Sequence, residues 1–211
     1  MKIAFIGYGN VGAPLADHLQ RAGHQVSLAA NDPNSESVKK ALARNPDLQI
    51  VEPKVAVGDA EVVFLATPFQ INETALKGVA DEIKGKILVD CTNPIGPKLS
   101  HGLNSVQSGS EMIQALVPDT RVVKAFSIYG FENFENSSYP GFNVKPGMMY
   151  CGDDAAAKKF VGGLIEQLGW EPLDVGGLAQ ALHLEHMTLL WVRMVRVSKH
   201  SPHTVWAMLT R

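Results

Sequence analysis

Six residues near the start of the chain have the types and spacing of a phosphate-binding turn. Gly7-Tyr8-Gly9-Asn10-Val11-Gly12 is a G-x-G-x-x-G. It directly follows an apolar run, Lys2 to Ile6. It opens a helical pattern, Val11 to Ala22, in which Val11, Leu15, Ala16 and Leu19 share one face. In that setting the first glycine permits a tight turn and the second lets the backbone approach a pyrophosphate. The third lets the helix pack closely on the strand. Free N–H groups and the positive end of the helix dipole then attract the phosphates. Three glycines alone say little; a strand before them and a helix after them point to a dinucleotide.

The second strand, Gln25 to Ala30, should reach the adenosine ribose. Dinucleotide folds place an acidic residue about 20 residues beyond the loop for NAD, or an arginine nearby for NADP. Here the strand ends Ala29-Ala30-Asn31-Asp32-Pro33-Asn34-Ser35. Asn31, Ser35, Ser37 and Lys39 carry donors for a 2′-phosphate, whereas Asp32 carries an acceptor for a 2′-hydroxyl. The spacing leaves NADP and NAD both open. Two later strands, Glu61 to Ala66 and Lys86 to Cys91, end in Thr67-Pro68 and Thr92-Asn93-Pro94. Open parallel sheets bind ligands outside the carboxyl ends of their strands. Thr67, Pro68, Asn93 and Pro94 are therefore candidates for ribose and nicotinamide contacts, although the same residue types also make ordinary turns.

Other clusters carry less. His183 and His186 share a helix face around Glu185, but no third histidine or cysteine completes a metal site. Cys91 and Cys151 lie in apolar stretches and read as buried reduced thiols, which points to a reducing compartment. There is no G-x-S-x-G nucleophile turn.

The elements that position these residues follow from the hydrophobic pattern. Strand and helix patterns alternate through the first ninety or so residues, which means a parallel sheet with crossover helices. The strand runs are continuously apolar, as for strands covered on both faces. Further strands are expected at Arg121 to Ser127, Met148 to Cys151 and Trp170 to Val175, with a long aromatic loop from Tyr129 to Pro146. Helices are expected at Ser35 to Arg44, Ile71 to Ile83, Glu111 to Leu116, Ala155 to Leu168, Leu178 to Val197 and Thr204 to Leu209. The fold class is α/β: a doubly wound parallel, Rossmann-type sheet extended by C-terminal strands, with a C-terminal helical cap. Residues 1–177 read as the dinucleotide-binding domain. Residues 178–211 read as a helical segment that caps the substrate pocket or forms a homodimer, because Met187 to Val197 is apolar nearly all round.

Composition narrows the function. A net charge of −2 with 19% charged residues gives no footprint for nucleic acid, and no polybasic cluster marks a membrane surface. No apolar stretch approaches the ~18 residues of a spanning helix. The first apolar run is too short for a signal peptide, so a cytoplasmic protein is expected.

Beyond these patterns, the chain resembles the NADPH-dependent F420 reductase family and the related cytosolic oxidoreductase domains of the STEAP metalloreductases. The matching stretches run from Met1 to about Leu182. They are Gly7 to Gly12, Gly85-Lys86-Ile87-Leu88-Val89-Asp90-Cys91-Thr92-Asn93-Pro94, Val122 to Phe126, Cys151-Gly152-Asp153-Asp154 and Pro172 to Gly176. The resemblance implies that NADP lies over the strand ends, with its pyrophosphate on Gly7 to Gly12. It places Thr67 and Pro68 along the path to the nicotinamide, with Asn93 and Ala125 beside that ring. Ser127 and Tyr129 fall where a flavin or deazaflavin stacks. Two departures stand out. The family has a Ser-Arg pair where this chain has Ala30-Asn31, with Ser35 at a further phosphate contact of some members. F420 reductases also carry a histidine where this chain has Ser127.

The expected activity is hydride transfer between NADP(H) and F420 or an FMN- or FAD-like ring. No catalytic side chain is required, because the cofactors carry the chemistry. The alternatives are a reductase of a small imine or carbonyl compound, with Lys124, Tyr129 or His183 as proton donor, and a nicotinamide-nucleotide sensor without turnover.

Overall fold

The computed structural model describes residues 1–211. One sheet runs in the order β3-β2-β1-β4-β5-β6-β7-β8. Its strands are β1 (Lys2–Ile6), β2 (Gln25–Ala29), β3 (Gln49–Val51), β4 (Val62–Leu65), β5 (Ile87–Asp90), β6 (Arg121–Lys124), β7 (Gly147–Gly152) and β8 (Glu171–Asp174). The first six are parallel. Strand order reverses between β1 and β4, so a crevice opens at the carboxyl ends of that pair.

Seven α-helices cover the sheet: α1 (Gly12–Arg21), α2 (Glu36–Arg44), α3 (Pro53–Asp59), α4 (Asn72–Lys77), α5 (Gly109–Leu116), α6 (Ala155–Gln167) and α7 (Ala181–Val192). Alternate strand residues serve opposite faces. Ile3, Phe5, Val62 and Phe64 pack with Leu15, Leu164, Leu184 and Trp191 of α1, α6 and α7. Ala4, Ile6, Val63 and Leu65 pack with Val57, Leu76 and Ile113 of α3, α4 and α5. Both faces are covered, which is why the strands read as continuous apolar runs and why the fold is doubly wound.

The parallel pattern ends at β7, which runs antiparallel to β6 with Lys124 opposite Cys151. A parallel neighbour needs a crossover that returns to the start of the sheet. Residues 125–146 hold only a single 3-10 turn, Phe131–Asn133, and enter β7 directly from the strand-end side. β8 then joins β7 in parallel through α6.

Two helix expectations are corrected, and one further helix, α3, was not expected. The segment from Ile71 to Ile83 forms only α4, because Gly78 caps it and the chain continues in turns. The short helix α3, capped by the Glu52 side chain, has too few residues to show a period. Thr204 to Leu209 is not helical. Its backbone is claimed by tertiary partners: Trp191 Nε1 donates to the Thr204 carbonyl at 2.7 Å, and Gly147 N donates to the Trp206 carbonyl at 2.8 Å.

The segment from Leu178 to Val197 is helical throughout, as a 3-10 turn, α7 and a π turn. Leu184, Trp191 and Val195 face the chain's own core, so most of its apolar character is satisfied within one subunit. Leu190 and Val197 stay exposed. No helix is long and apolar enough to cross a membrane.

Tyr129 clasps the C-terminal strap to the sheet. Its hydroxyl donates to the Gly147 carbonyl at 2.6 Å and accepts from Trp206 N at 3.0 Å. Tyr129→Phe should cost about 1–2 kcal/mol in urea unfolding. It should also speed tryptic cleavage after Lys199, whereas an unclasped strap in the wild type would make both measurements insensitive to the change.

Candidate active site

At the head of the crevice the three glycines divide their labour. Gly7 has φ +91°, and a Cβ there would meet the Ala66 carbonyl carbon at 2.6 Å. A Cβ on Gly12 would lie 2.1 Å from the Gly7 carbonyl oxygen. These two are dictated by the packing of loop, strand and helix. A Cβ on Gly9 meets nothing within 4 Å, so the space beside the second glycine is free for a ligand. No side chain caps α1, whose N-cap is Val11. Ala13 N already donates to the Gly9 carbonyl at 3.0 Å and Pro14 has no N–H, so the N–H groups of the loop up to Gly12 are the ones left for a phosphate, and the loop fits a bound pyrophosphate.

Two cavities flank this loop. One, of about 530 Å³, is lined by Ala29, Asn31, Glu52, Lys54, Ile71 and Thr74 among others. The other, of about 370 Å³, brings Tyr8, Gly9 and Asn10 together with Ser37, Lys40 and Arg44 of α2. Asn31 thus faces the first cavity. Ser35 caps α2 through Val38 N, and Lys39 pairs outside with Glu36 at 2.9 Å. The cation that reaches the second cavity is Lys40, which the sequence reading passed over. Its spacing to Ser37 and Arg44, three and four residues, was the available signal. Arg44 is already held by Glu135 at 2.5 and 2.6 Å, and that bond raises its pKa.

Further along the strand ends the polar groups are linked. Thr67 donates to Asn72 at 2.6 Å, Asn72 to Thr92 at 2.9 Å, and Thr92 to Asp90 at 2.7 Å. The Thr67 hydroxyl hydrogen is therefore occupied, and the oxygen offers an acceptor to the crevice. Pro68 is exposed beside it, while Pro94 and Ala125 are buried backbone walls. Asn93 Nδ2 donates to the Ser127 carbonyl at 3.0 Å. That carbonyl is turned toward it by Phe126, a bulky residue at φ +54°. Left-handed backbone at such a residue is strained and clusters at functional sites. The Ser127 hydroxyl has no partner and is itself buried, with Ser127 1% exposed.

Tyr129 lies elsewhere. It is 4% exposed, its ring stacks on Trp170 with centroids 5.2 Å apart, and its hydroxyl is engaged as described. It has no face open to a second ring, so its expected stacking role is corrected to a structural one.

Below Asn93 lies a buried ion cluster. Lys124 Nζ sits 3.2 Å from Asp90 Oδ2 and 3.1 Å from Glu185 Oε1, and it donates to the Thr92 carbonyl at 2.8 Å. Burial lowers the Lys124 pKa and the two carboxylates raise it. The carboxylates prevail, so it lies above the ordinary 10.5. Its ammonium is enclosed by these three oxygens, two of them hydrogen-bonded, so Lys124 is an ion-pair residue of the interior. His101 Nε2 lies 2.7 Å from Glu185 Oε2. His183 is exposed, and His186 contacts Ser105. No group of three or more metal-binding side chains exists.

Comparison with known proteins settles the family. A profile described as NADP oxidoreductase, coenzyme F420-dependent, matches residues 2–94. The F420-dependent NADP reductase of Methanocaldococcus jannaschii is 30% identical, over 91% of each chain. The chain belongs to this family. It is accordingly an NADP oxidoreductase, as the family resemblance implied. It is also 32% identical to the metalloreductase STEAP3 of Rattus norvegicus over 89% of its own length, but it spans only 36% of that protein. A crystal structure assigned as an F420-dependent NADP-reductase from Arthrobacter sp. FB24 superposes with a TM-score of 0.83 at 28% identity, covering 94% of this chain and 95% of that one.

Both cysteines are free and buried. Burial pushes the Cys151 thiol from its ordinary 9.0 to about 12 and also holds Cys91 well above that ordinary value. A raised folded pKa gives stability that is complete below pH 9 and is lost as pH rises, because only the unfolded thiols ionise there. Urea stability should therefore fall above about pH 9, and the onset should flatten in Cys91→Ala and Cys151→Ala. In the native state both thiols should resist DTNB at pH 8; rapid reaction with the reagent would contradict this account.

Proposed function

We propose that the protein transfers hydride between NADP(H) and a flavin-like acceptor, either F420 or an FMN- or FAD-type ring. The observation that carries this reading is the line of polar groups across neighbouring strand ends. It begins at the open Gly9 cradle after β1, passes the Thr67 acceptor after β4 and Asn93 after β5, and ends at the unpartnered Ser127 hydroxyl after β6. When bound, the nicotinamide supplies the hydride chemistry; the chain binds, orients and excludes water.

In this reading the backbone of Gly7, Tyr8, Gly9, Asn10, Val11 and Gly12 holds the pyrophosphate. Asn31 and Ser35 border the adenosine end, and Lys40 with Ser37 supplies the charge for a 2′-phosphate that Ala30-Asn31 does not. Thr67, Pro68, Asn93, Pro94 and Ala125 line the ribose and nicotinamide. Ser127 meets the second ring. Residues from Leu178 onward cap that end, and their exposed apolar side chains, Leu190, Val197, Met208 and Leu209, are those a homodimer contact would cover. Two buried, unpaired thiols suit a reducing cytoplasm.

Anaerobic NADPH oxidation with F420 and with FMN, side by side, tests the reading. Turnover with F420 alone assigns the deazaflavin; turnover with FMN assigns a flavin. Tight NADPH binding with neither acceptor active moves the function to a small-substrate reductase or a sensor. Gly9→Asp should fold normally, since a Cβ there meets nothing within 4 Å. Its carboxylate at the pyrophosphate should weaken NADPH at least about tenfold in a fluorescence titration. Unchanged affinity would remove the cofactor from this loop.

A further inference from the structure

The geometry points to Glu185 as a positioning residue of the hydride-transfer site; this rests on the reading above, in which Asn93 and Ser127 border the reacting rings. Glu185 lies on α7, is 1% exposed, and binds three separate elements at once. One carboxylate oxygen lies 2.7 Å from His101 in the loop after β5. The other accepts from Gly109 N, at the start of α5, at 2.9 Å and pairs with Lys124 of β6 at 3.1 Å. Three residues further along the same helix face, the Thr188 hydroxyl lies 3.0 Å from Asn93 Oδ1 and 2.8 Å from the Ser127 carbonyl. The rotation of α7 that seats Glu185 on Lys124 therefore also sets Thr188 against the two ring-site residues.

A second observation shows why the clamp must be firm. The loop held by His101 contains four non-glycine residues in left-handed conformation, Lys98, Leu99, Asn104 and Ser105. Such residues persist only where their surroundings hold them. His101 Nδ1 accepts from Leu103 N and Ser105 N, both at 3.2 Å. His101 is in turn held by Glu185 through its other ring nitrogen. An apolar pair of similar volume would fill the same space, but it would not orient Thr188, His101 and Lys124 together.

The test uses whichever of F420 and FMN the wild type turns over faster. Glu185→Gln keeps the shape and removes the charge that seats Lys124. NADPH affinity should stay within about twofold of wild type, while kcat should fall by about ten- to a hundredfold, the scale of a small misplacement of reacting groups. The primary isotope effect with 4-deuterated NADPH should rise as hydride transfer becomes limiting. Thr188→Val, which touches neither ion, should show the same split even if Glu185→Gln does not fold, and Thr188→Ser should restore activity. Wild-type kcat in the folded variants overturns the inference. So does a loss of kcat matched by an equal loss of NADPH affinity, which would indicate a merely structural role. A wild type that oxidises NADPH with neither acceptor overturns the functional reading itself, and that result is visible before any variant is made.

Discussion

A single buried ammonium, Lys124, constrains how the strand ends of this protein can be arranged. It is 0% exposed, so its charge must be balanced and all its hydrogens accepted. Removing one partner of such a pair costs about 3–5 kcal/mol, because the survivor is left charged in a poor solvent. Asp90 comes from β5, the Thr92 carbonyl from the turn after it, and Glu185 from α7. Their convergence ties the last parallel strands to the C-terminal helix. Asp90 in turn accepts from Thr92 and Ser110, and Thr92 accepts from Asn72. The requirement of one cation thus propagates to the orientation of Thr67, at the mouth of the crevice.

Much of this architecture was legible because it repeats a local rule. Continuous apolar runs such as Val62–Leu65 mark strands buried on both faces, and Gly7 to Gly12 after such a run marks the phosphate turn. What escaped was set by distant partners. Thr204 to Leu209 has a helix-like composition, yet Gly147, Tyr129 and Trp191 claim its backbone. Tyr129 is an aromatic near the strand ends, as a stacking residue should be, but Trp170 covers its ring. Glu185 looked like a spacer between two histidines, although it carries more of the site's geometry than either. Periodicity reports which face a residue occupies. It does not report which buried polar groups must meet, because those contacts join residues such as Asp90 and Glu185 that lie far apart in the chain.

The cofactor end illustrates how a departure from a family pattern can be absorbed. An arginine at the end of β2 would hold a 2′-phosphate in a fixed fork. Ala30 and Asn31 provide no such group. The cavity beside Gly9 and Asn10 instead receives Lys40 and Ser37 from the next helix, one strand-to-helix connection later. Lysine is a mobile point charge on a flexible stem, so in the proposed reading the cavity would attract a phosphate with less geometric selectivity than an arginine fork. That arrangement is compatible with NADP and less exclusive of NAD.

The saturation of the ion cluster also bears on the acceptor. Reducing a carbonyl or imine leaves charge on one heteroatom, and an enzyme for that reaction needs a positioned proton donor. Lys124 is buried between two carboxylates and a carbonyl, the Tyr129 hydroxyl donates to a carbonyl, and His183 is exposed to solvent. An aliphatic hydroxyl such as that of Ser127 can donate a hydrogen bond but holds its proton too tightly to act as a reservoir at neutral pH. A flavin-like ring spreads the incoming electron pair over several atoms and can draw the one proton that balances the hydride from water at an exposed edge. A site rich in orienting groups and poor in free acids therefore suits a ring acceptor better than a small carbonyl or imine.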